Sequence, residues 1–227
     1  MKRLIISIGH KARQGKDTAA LHLQKVFGCR IIHFADALYD ECKHSTILYK
    51  DNPPTLFLKT YDEDFFHFPN PGETIINWIK QNALPRDNLP FGAQLYYGGM
   101  KEKDGTLLQF WGTEFRRKRF SWDYWVDKVR DEIVAHPDDD YIIPDTRFKN
   151  EAKMVKEMGG FVWKIIRVGY QAADRDPDHT SEIDLDEWDF DAVILNDGTI
   201  PELCAKAETQ FRKLKGLPHG TQTCTNQ

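Results

Sequence analysis

The passage from Leu4 to Thr18 restricts this chain more than any other. A short apolar run, Leu4-Ile5-Ile6-Ser7-Ile8, gives way to Gly9-His10-Lys11-Ala12-Arg13-Gln14-Gly15-Lys16-Asp17-Thr18. Helical spacing follows, with Ala19, Leu23 and Val26 on one stripe. The apolar run is rich in β-branched residues, as a parallel strand buried on both faces requires. A strand, a glycine-containing basic loop and a helix, in that order, make a cradle for anions. Backbone N–H groups at the helix N-terminus point at the anionic oxygens, and a lysine at the helix start adds a point charge. The passage therefore reads as a phosphate-binding loop over Lys11, Ala12, Arg13, Gln14, Gly15, Lys16, Asp17 and Thr18. Counting back from Gly15, the first-glycine slot of G-x-x-x-x-G-K-[ST] holds His10, with Gly9 one position early. Asp17 or Thr18 can hold Mg²⁺ directly or through water, since that cation prefers hard oxygen ligands. A basic strand-to-helix turn with no ligand is the alternative reading.

Strand and helix signals recur along the chain. Residues 30–34 read as a second strand and 35–43 as a helix. Residues 44–100 break the rhythm with Asn52-Pro53-Pro54, Pro69-Asn70-Pro71-Gly72, Pro85, Pro90 and Gly98-Gly99, around one helix at 73–82. They read as an insertion or cap. Beyond them the patterns predict helices at 107–117 and from 121 or 122 to 135. A strand at 140–145 carries Pro144 at its far end, where a missing N–H is tolerated. Asn150 reads as the N-cap of a helix through Met158, stopped by Gly159-Gly160. Strands at 161–168 and 192–195, a helix at 200–214 and a polar tail at 216–227 complete the chain. Strands alternating with helices predict an α/β fold, a parallel sheet with crossover helices on both faces. The expected organisation is one domain over 1–215 that includes the 44–100 region.

Composition narrows the class. A chain of 227 residues, 41% hydrophobic and 29% charged, can bury a core without a metal or disulfide staple. Its net charge of −4 gives no global basic field to hold nucleic acid. No apolar run approaches the roughly 20 residues of a membrane span. The first residues start like a signal peptide, but the apolar stretch stops at Gly9-His10-Lys11 without a cleavage site. Cys29, Cys42, Cys204 and Cys224 lack metal-ligand spacing, which points to reduced thiols and a cytoplasmic location.

Several segments together resemble one family, the deoxynucleoside monophosphate kinases of bacteriophages, among the P-loop kinases. Lys11 to Thr18 is similar to that family's loop, including the unusual Asp-Thr. Leu107-Leu108-Gln109-Phe110-Trp111-Gly112-Thr113-Glu114-Phe115-Arg116-Arg117 with Tyr124-Trp125-Val126 resembles its middle motif. Ile143-Pro144-Asp145-Thr146-Arg147-Phe148-Lys149-Asn150-Glu151-Ala152 resembles a second hallmark, and His179-Thr180-Ser181-Glu182 and Asn196-Asp197-Gly198-Thr199 resemble a C-terminal pair. The match runs from residue 4 to about 203 and is weakest over 44–100. It implies a P-loop kinase fold with an acceptor-binding region at 44–100 and a lid at about 169–185. It also implies ATP as donor, a deoxynucleoside monophosphate as acceptor, Mg²⁺, and a homodimer in the host cytoplasm.

Residue roles follow from position and from the resemblance together. Asp145 ends an apolar strand, where open α/β sheets bind ligands, so it suits a carboxylate near Mg²⁺ and substrate; a turn aspartate is its alternative. Arg147 offers a planar guanidinium to phosphate oxygens, or is a solvated loop residue. Arg116-Arg117-Lys118-Arg119 reads as a nucleic-acid patch, a phosphate clamp or a charged helix end. Because Arg117 falls on the family's arginine, it is expected to clamp phosphate, with the other three solvated. Asp36 falls on an acidic position that meets the acceptor in related kinases, or serves a helix start. His179 and Glu182 are too few for a metal site. Arg167 and Arg175 are further candidates for the transferred phosphate, and the tryptophans read as packing. Catalysis is thus expected from Lys16, Arg117 and Arg147. The rival readings are a kinase for dephospho-coenzyme A or phosphomevalonate, and a non-catalytic nucleotide- or nucleic-acid-binding protein.

Overall fold

The structure is a computed structural model that describes residues 3–170 and 180–218. In chain order it runs β1 (Ile5–Gly9), α1 (Lys16–Phe27), β2 (Arg30–Ile31), α2 (Asp36–Lys43), β3 (Ser45–Lys50), β4 (Thr55–Thr60), β5 (Phe66–Pro69) and α3 (Glu73–Asn82). It continues with β6 (Leu84–Pro85), β7 (Leu95–Gly98), α4 (Gly105–Gln109), a π-helix (Phe110–Arg117) and α5 (Tyr124–Ala135). Then come β8 (Tyr141–Thr146), α6 (Lys149–Glu157), β9 (Phe161–Arg167), α7 (Thr180–Ile183), β10 (Ala192–Asn196) and α8 (Ile200–Lys215). The described residues form two compact units, one from those within 1–34 and 126–227 and one from 35–125.

The first unit is the α/β part. Its five strands run β10-β9-β1-β8-β2, every neighbouring pair parallel. Alternate side chains leave opposite faces of a strand, and both faces are covered. Ile6, Ile142, Trp163 and Ile165 pack with Ala19, Ala20 and Leu23 of α1 and Leu203, Ala207 and Phe211 of α8. Ile5, Tyr141, Ile143 and Val162 pack with Val129 and Ile133 of α5 and Ala152 and Val155 of α6. With a pair of helices on each face, the strands need near-continuous apolar runs. The α1 stripe differs in one member from the expected one, since Val26 is exposed and Ala20 is buried.

Four local expectations are corrected. The second strand pairs only at Arg30 and Ile31; Ile32 still bonds Ile142, but the Phe34 N–H goes to the Asp145 carboxylate. Pro144 lies inside β8, two residues before its end, rather than at its far end. Ile142 accepts from Ile32 on the β2 side, so two residues on Pro144 faces beyond the last β2 pair, and the β1 register skips between Ser7 and Gly9 beside it. Asn150 is not the cap of α6: the Glu151 carboxylate takes the N–H groups of Arg147 and Phe148. The helix expected at 107–117 is α only to Gln109 and π-helical beyond.

The second unit is built on an antiparallel sheet, β5-β4-β3-β7-β6. Ile47 and Tyr49 of β3 and Leu56 and Leu58 of β4 join Ile75, Trp78 and Ile79 of α3 and Trp111 and Phe115 of the π-helix in one core. A buried carboxylate organises the polar part of this core. Glu41 accepts from Trp111 Nε1 at 2.9 Å, Arg116 Nε at 2.7 Å and Tyr124 Oη at 2.5 Å. Arg116 also bonds Glu63 and lies against the rings of Phe115, Phe120 and Tyr124. The expectation that Arg116 is solvated is therefore wrong: at 3% exposure it is a core residue.

Candidate functional site

The loop after β1 is held by the carboxyl ends of three neighbouring strands. Gly9 pairs with Thr146 at the end of β8, and His10 N–H continues to the Thr146 carbonyl. At the end of β9, Arg167 N–H donates to Gln14 Oε1 at 2.5 Å. At the end of β10, Asn196 Nδ2 donates to the Gln14 carbonyl at 3.0 Å. Gln14 is buried and also donates to the Ala12 carbonyl, so the loop is cross-braced from within. Gly15 has φ 99°, and a Cβ there would come within 2.8 Å of Leu203 and 2.9 Å of Asn196. Only glycine meets both demands.

Lys16 begins α1 with its side chain turned into the loop. Its Nζ donates to the Lys11 carbonyl at 2.5 Å and the His10 carbonyl at 3.4 Å. Burial, with the Arg147 charge beside it, brings the ammonium down to about 7, against the pull of Asp17, Glu182 and Asp145. Arg147 follows directly from β8 and donates from Nη1 to the His10 carbonyl at 2.7 Å and to Glu182 Oε1 at 3.1 Å. The other oxygen of Glu182 accepts the Ala12 N–H at 3.0 Å. Lys16 and Arg147 thus meet at the His10 carbonyl, with the buried Glu182 carboxylate bridging Arg147 and the Ala12 N–H.

The remaining expected residues are placed as follows. Asp17 sits in the first turn of α1 with its carboxylate 79% exposed and His33 Nε2 at 3.9 Å; His33 holds it below the usual carboxylate range. Thr18 is half-buried in the same turn. Asp145, half-buried near the end of β8, anchors Phe34 N–H at 3.0 Å. Arg117, 8% exposed, donates to the Trp122 carbonyl at 3.0 Å and lies over the Trp122 ring. Asp36 is exposed in the first turn of α2. Arg175 and His179 lie outside the described residues, as does Cys224. Cys29, Cys42 and Cys204 are free thiols. Within the second unit a cavity of about 670 Å³ opens between Trp78, Tyr96, Tyr97, Arg86, Lys101 and Lys103.

Sequence reasoning missed the braces. Asn196, Glu182 and Asp186 are not marked as a set by any spacing, because Asn196 reaches the loop from the end of β10 and the two carboxylates from α7 and the turn after it. Asn196 had a signal in Asn196-Asp197-Gly198-Thr199, and Glu182 in His179-Thr180-Ser181-Glu182. Among the described residues no group of three or more His, Cys, Asp or Glu could hold a metal, and no helix is long and apolar enough to cross a membrane.

Known proteins repeat this sequence pattern. A family model described as deoxynucleotide monophosphate kinase matches residues 105–207. A protein of Acanthamoeba polyphaga mimivirus, named as a deoxynucleotide monophosphate kinase, is 30% identical over 200 residues, covering 83% of this chain and 86% of that one. The deoxynucleotide monophosphate kinase of Enterobacteria phage T4 is 32% identical over 111 residues, 48% of this chain and 45% of its own. That of Escherichia phage RB69 is 31% identical over 109 residues, 47% and 43% of the two chains. With similarity to the mimivirus protein running through most of both chains, this chain belongs to the deoxynucleotide monophosphate kinase family.

Proposed function

We propose that the protein moves the γ-phosphoryl group of ATP to the 5′-phosphate of a deoxynucleoside monophosphate. An acceptor phosphate oxygen forms the new P–O bond, the bond from the γ-phosphorus to the β-bridging oxygen breaks, and deoxynucleoside diphosphate and ADP leave. The observation that carries this reading is the meeting of Lys16 and Arg147 at the His10 carbonyl, at the carboxyl edge of the parallel sheet, in a member of this family. In such chemistry a protein mainly positions two anions and neutralises charge on the transferring group. The acceptor oxygen is already anionic or nearly so near neutral pH, so no strong general base is needed.

In this reading the amides from Lys11 to Thr18 and the Lys16 ammonium hold the donor phosphates. Arg117 and Arg147 neutralise acceptor or transferring phosphate, and Asp36 and the 44–100 region meet the acceptor. Asp17, Thr18 and Asp145 are hard oxygen donors at the start of α1 and the end of β8. That set fits Mg²⁺, which binds through one or two carboxylates plus substrate phosphates, and which would supply charge neutralisation. A cytoplasmic homodimer completes the proposal.

The test is a coupled assay of ADP release over all deoxynucleoside and ribonucleoside monophosphates. ADP release that depends on an added deoxynucleoside monophosphate is expected. ATP left intact with every nucleotide, while dephospho-coenzyme A or phosphomevalonate is phosphorylated, would replace the acceptor assignment.

A further inference from the structure

We infer that Asp186 is a positioning residue for the phosphate loop, acting through the imidazole of His10. His10 occupies the slot where a phosphate-binding loop ordinarily carries glycine, and it adopts φ 76°. An L-residue is disfavoured there because its Cβ crowds the following carbonyl. The conformation persists only where surrounding contacts over-determine it; the backbone bonds to Thr146 and Arg147 supply some, and the imidazole supplies the side-chain ones. His10 Nε2 lies 2.5 Å from Asp186 Oδ1. A carboxylate only accepts hydrogen bonds, and the His10 contact holds Asp186 below the usual carboxylate range, so Nε2 carries the proton. Phe190 meets the same ring edge-on at 6.1 Å, and the residue is 7% exposed.

What this pair sets is the direction of one carbonyl. The His10 oxygen accepts from Arg147 Nη1 at 2.7 Å and from Lys16 Nζ at 3.4 Å, so it places Arg147 directly and shares Lys16 with the Lys11 carbonyl at 2.5 Å. Rotating residue 10 out of the left-handed region would swing that oxygen away from both. Asp186 also lies 3.7 Å from Lys11, and Lys164 acts on the pair from β9. A test must therefore separate the His10 contribution from simple charge.

Glycine reaches positive φ without help, so a His10→Gly background makes the brace superfluous. The inference rests on the phosphate-transfer reading for its substrate, but its first readout is ATP binding alone, followed by turnover. In the native background Asp186→Ala is expected to weaken ATP binding about tenfold, as for a lost charge-assisted hydrogen bond. Asp186→Asn, whose amide oxygen still accepts, should lose no more than about threefold. In the His10→Gly background, Asp186→Ala should change ATP affinity by less than about twofold. An equal loss in both backgrounds, or none in the native one, overturns the inference. If Asp186→Ala fails to fold, relief by His10→Gly supports it and persistence of the defect overturns it. The expected binding pattern without phosphorylation of any deoxynucleoside monophosphate leaves the inference standing and removes the acceptor assignment.

Discussion

Lys16 shows how one buried charge links the loop's geometry to its chemistry. Its free-state value of about 7, set by burial and then by Arg147, means that much of it is neutral just above neutrality. A bound phosphate restores the charge. ATP binding must then take up a proton above pH 7, so we predict affinity falling as pH rises from 7 to 9, by up to about tenfold per unit. Stability of the ligand-free protein runs the opposite way. The unfolded chain, with an ordinary lysine, binds a proton between about pH 7 and 10 that the folded chain lacks. Unfolding free energy therefore rises through that window, by up to about 1.4 kcal/mol per unit. Lys16→Met should abolish both trends and reduce turnover on the order of 10²-fold or more. Calorimetric ATP titration and urea unfolding at several pH values check this; an ATP affinity flat from pH 7 to 9 would refute it.

At the scale of elements, the π-helix shows why periodicity alone misleads. Read at 3.6 residues per turn, the segment 107–117 is an amphipathic helix whose basic end points to solvent. With i→i+5 bonding, Phe110, Trp111, Phe115, Arg116 and Arg117 are all buried. The two arginines are tied to Glu41, Glu63 and Trp122 instead. Glu41 is the keystone, since removing it leaves Trp111 and Tyr124 without its acceptor and Arg116 without its nearer partner. Breaking a buried pair from one side costs about 3–5 kcal/mol, so Glu41→Ala should lower the urea midpoint by a corresponding amount. A loss below about 1 kcal/mol would mean that this network holds no part of the fold. The strands of 44–100 were missed for a different reason. Thr55-Leu56-Phe57-Leu58-Lys59-Thr60 alternates as a strand does, but the prolines and glycines around it drew the reading toward loops.

For the molecule as a whole, the order of elements along the chain decides when each unit can form. β1 pairs with β8 and β9, both encoded after residue 125, whereas the sheet of the second unit lies wholly within 35–125. A fragment of residues 1–125 should therefore keep protected amides in β3, β4 and β7, because that unit has a core of its own. Its Ile5–Ile8 amides should exchange at unprotected rates, since a lone parallel strand has nowhere to place its backbone N–H groups. Hydrogen exchange read by mass spectrometry decides this, and protection at Ile5–Ile8 in the fragment would refute it.

Local chemistry was enough to determine the strand–loop–helix at 4–27, the glycine at 15, the lysine at 16, the helix at 73–82 and the alternation that implies a covered parallel sheet. Those features depend on backbone freedom, side-chain period and turn residues, all of which act between near neighbours. The sheet-end braces were decided by tertiary structure alone. Ala12 meets Glu182 across 170 residues, His10 meets Asp186 across 176 and Gln14 meets Asn196 across 182. Such partners are brought together by strand order, which lays β10, β9, β1 and β8 side by side. No local pattern records that order, so the departure visible in the sequence, histidine where glycine is expected, found its physical reason only in the folded chain.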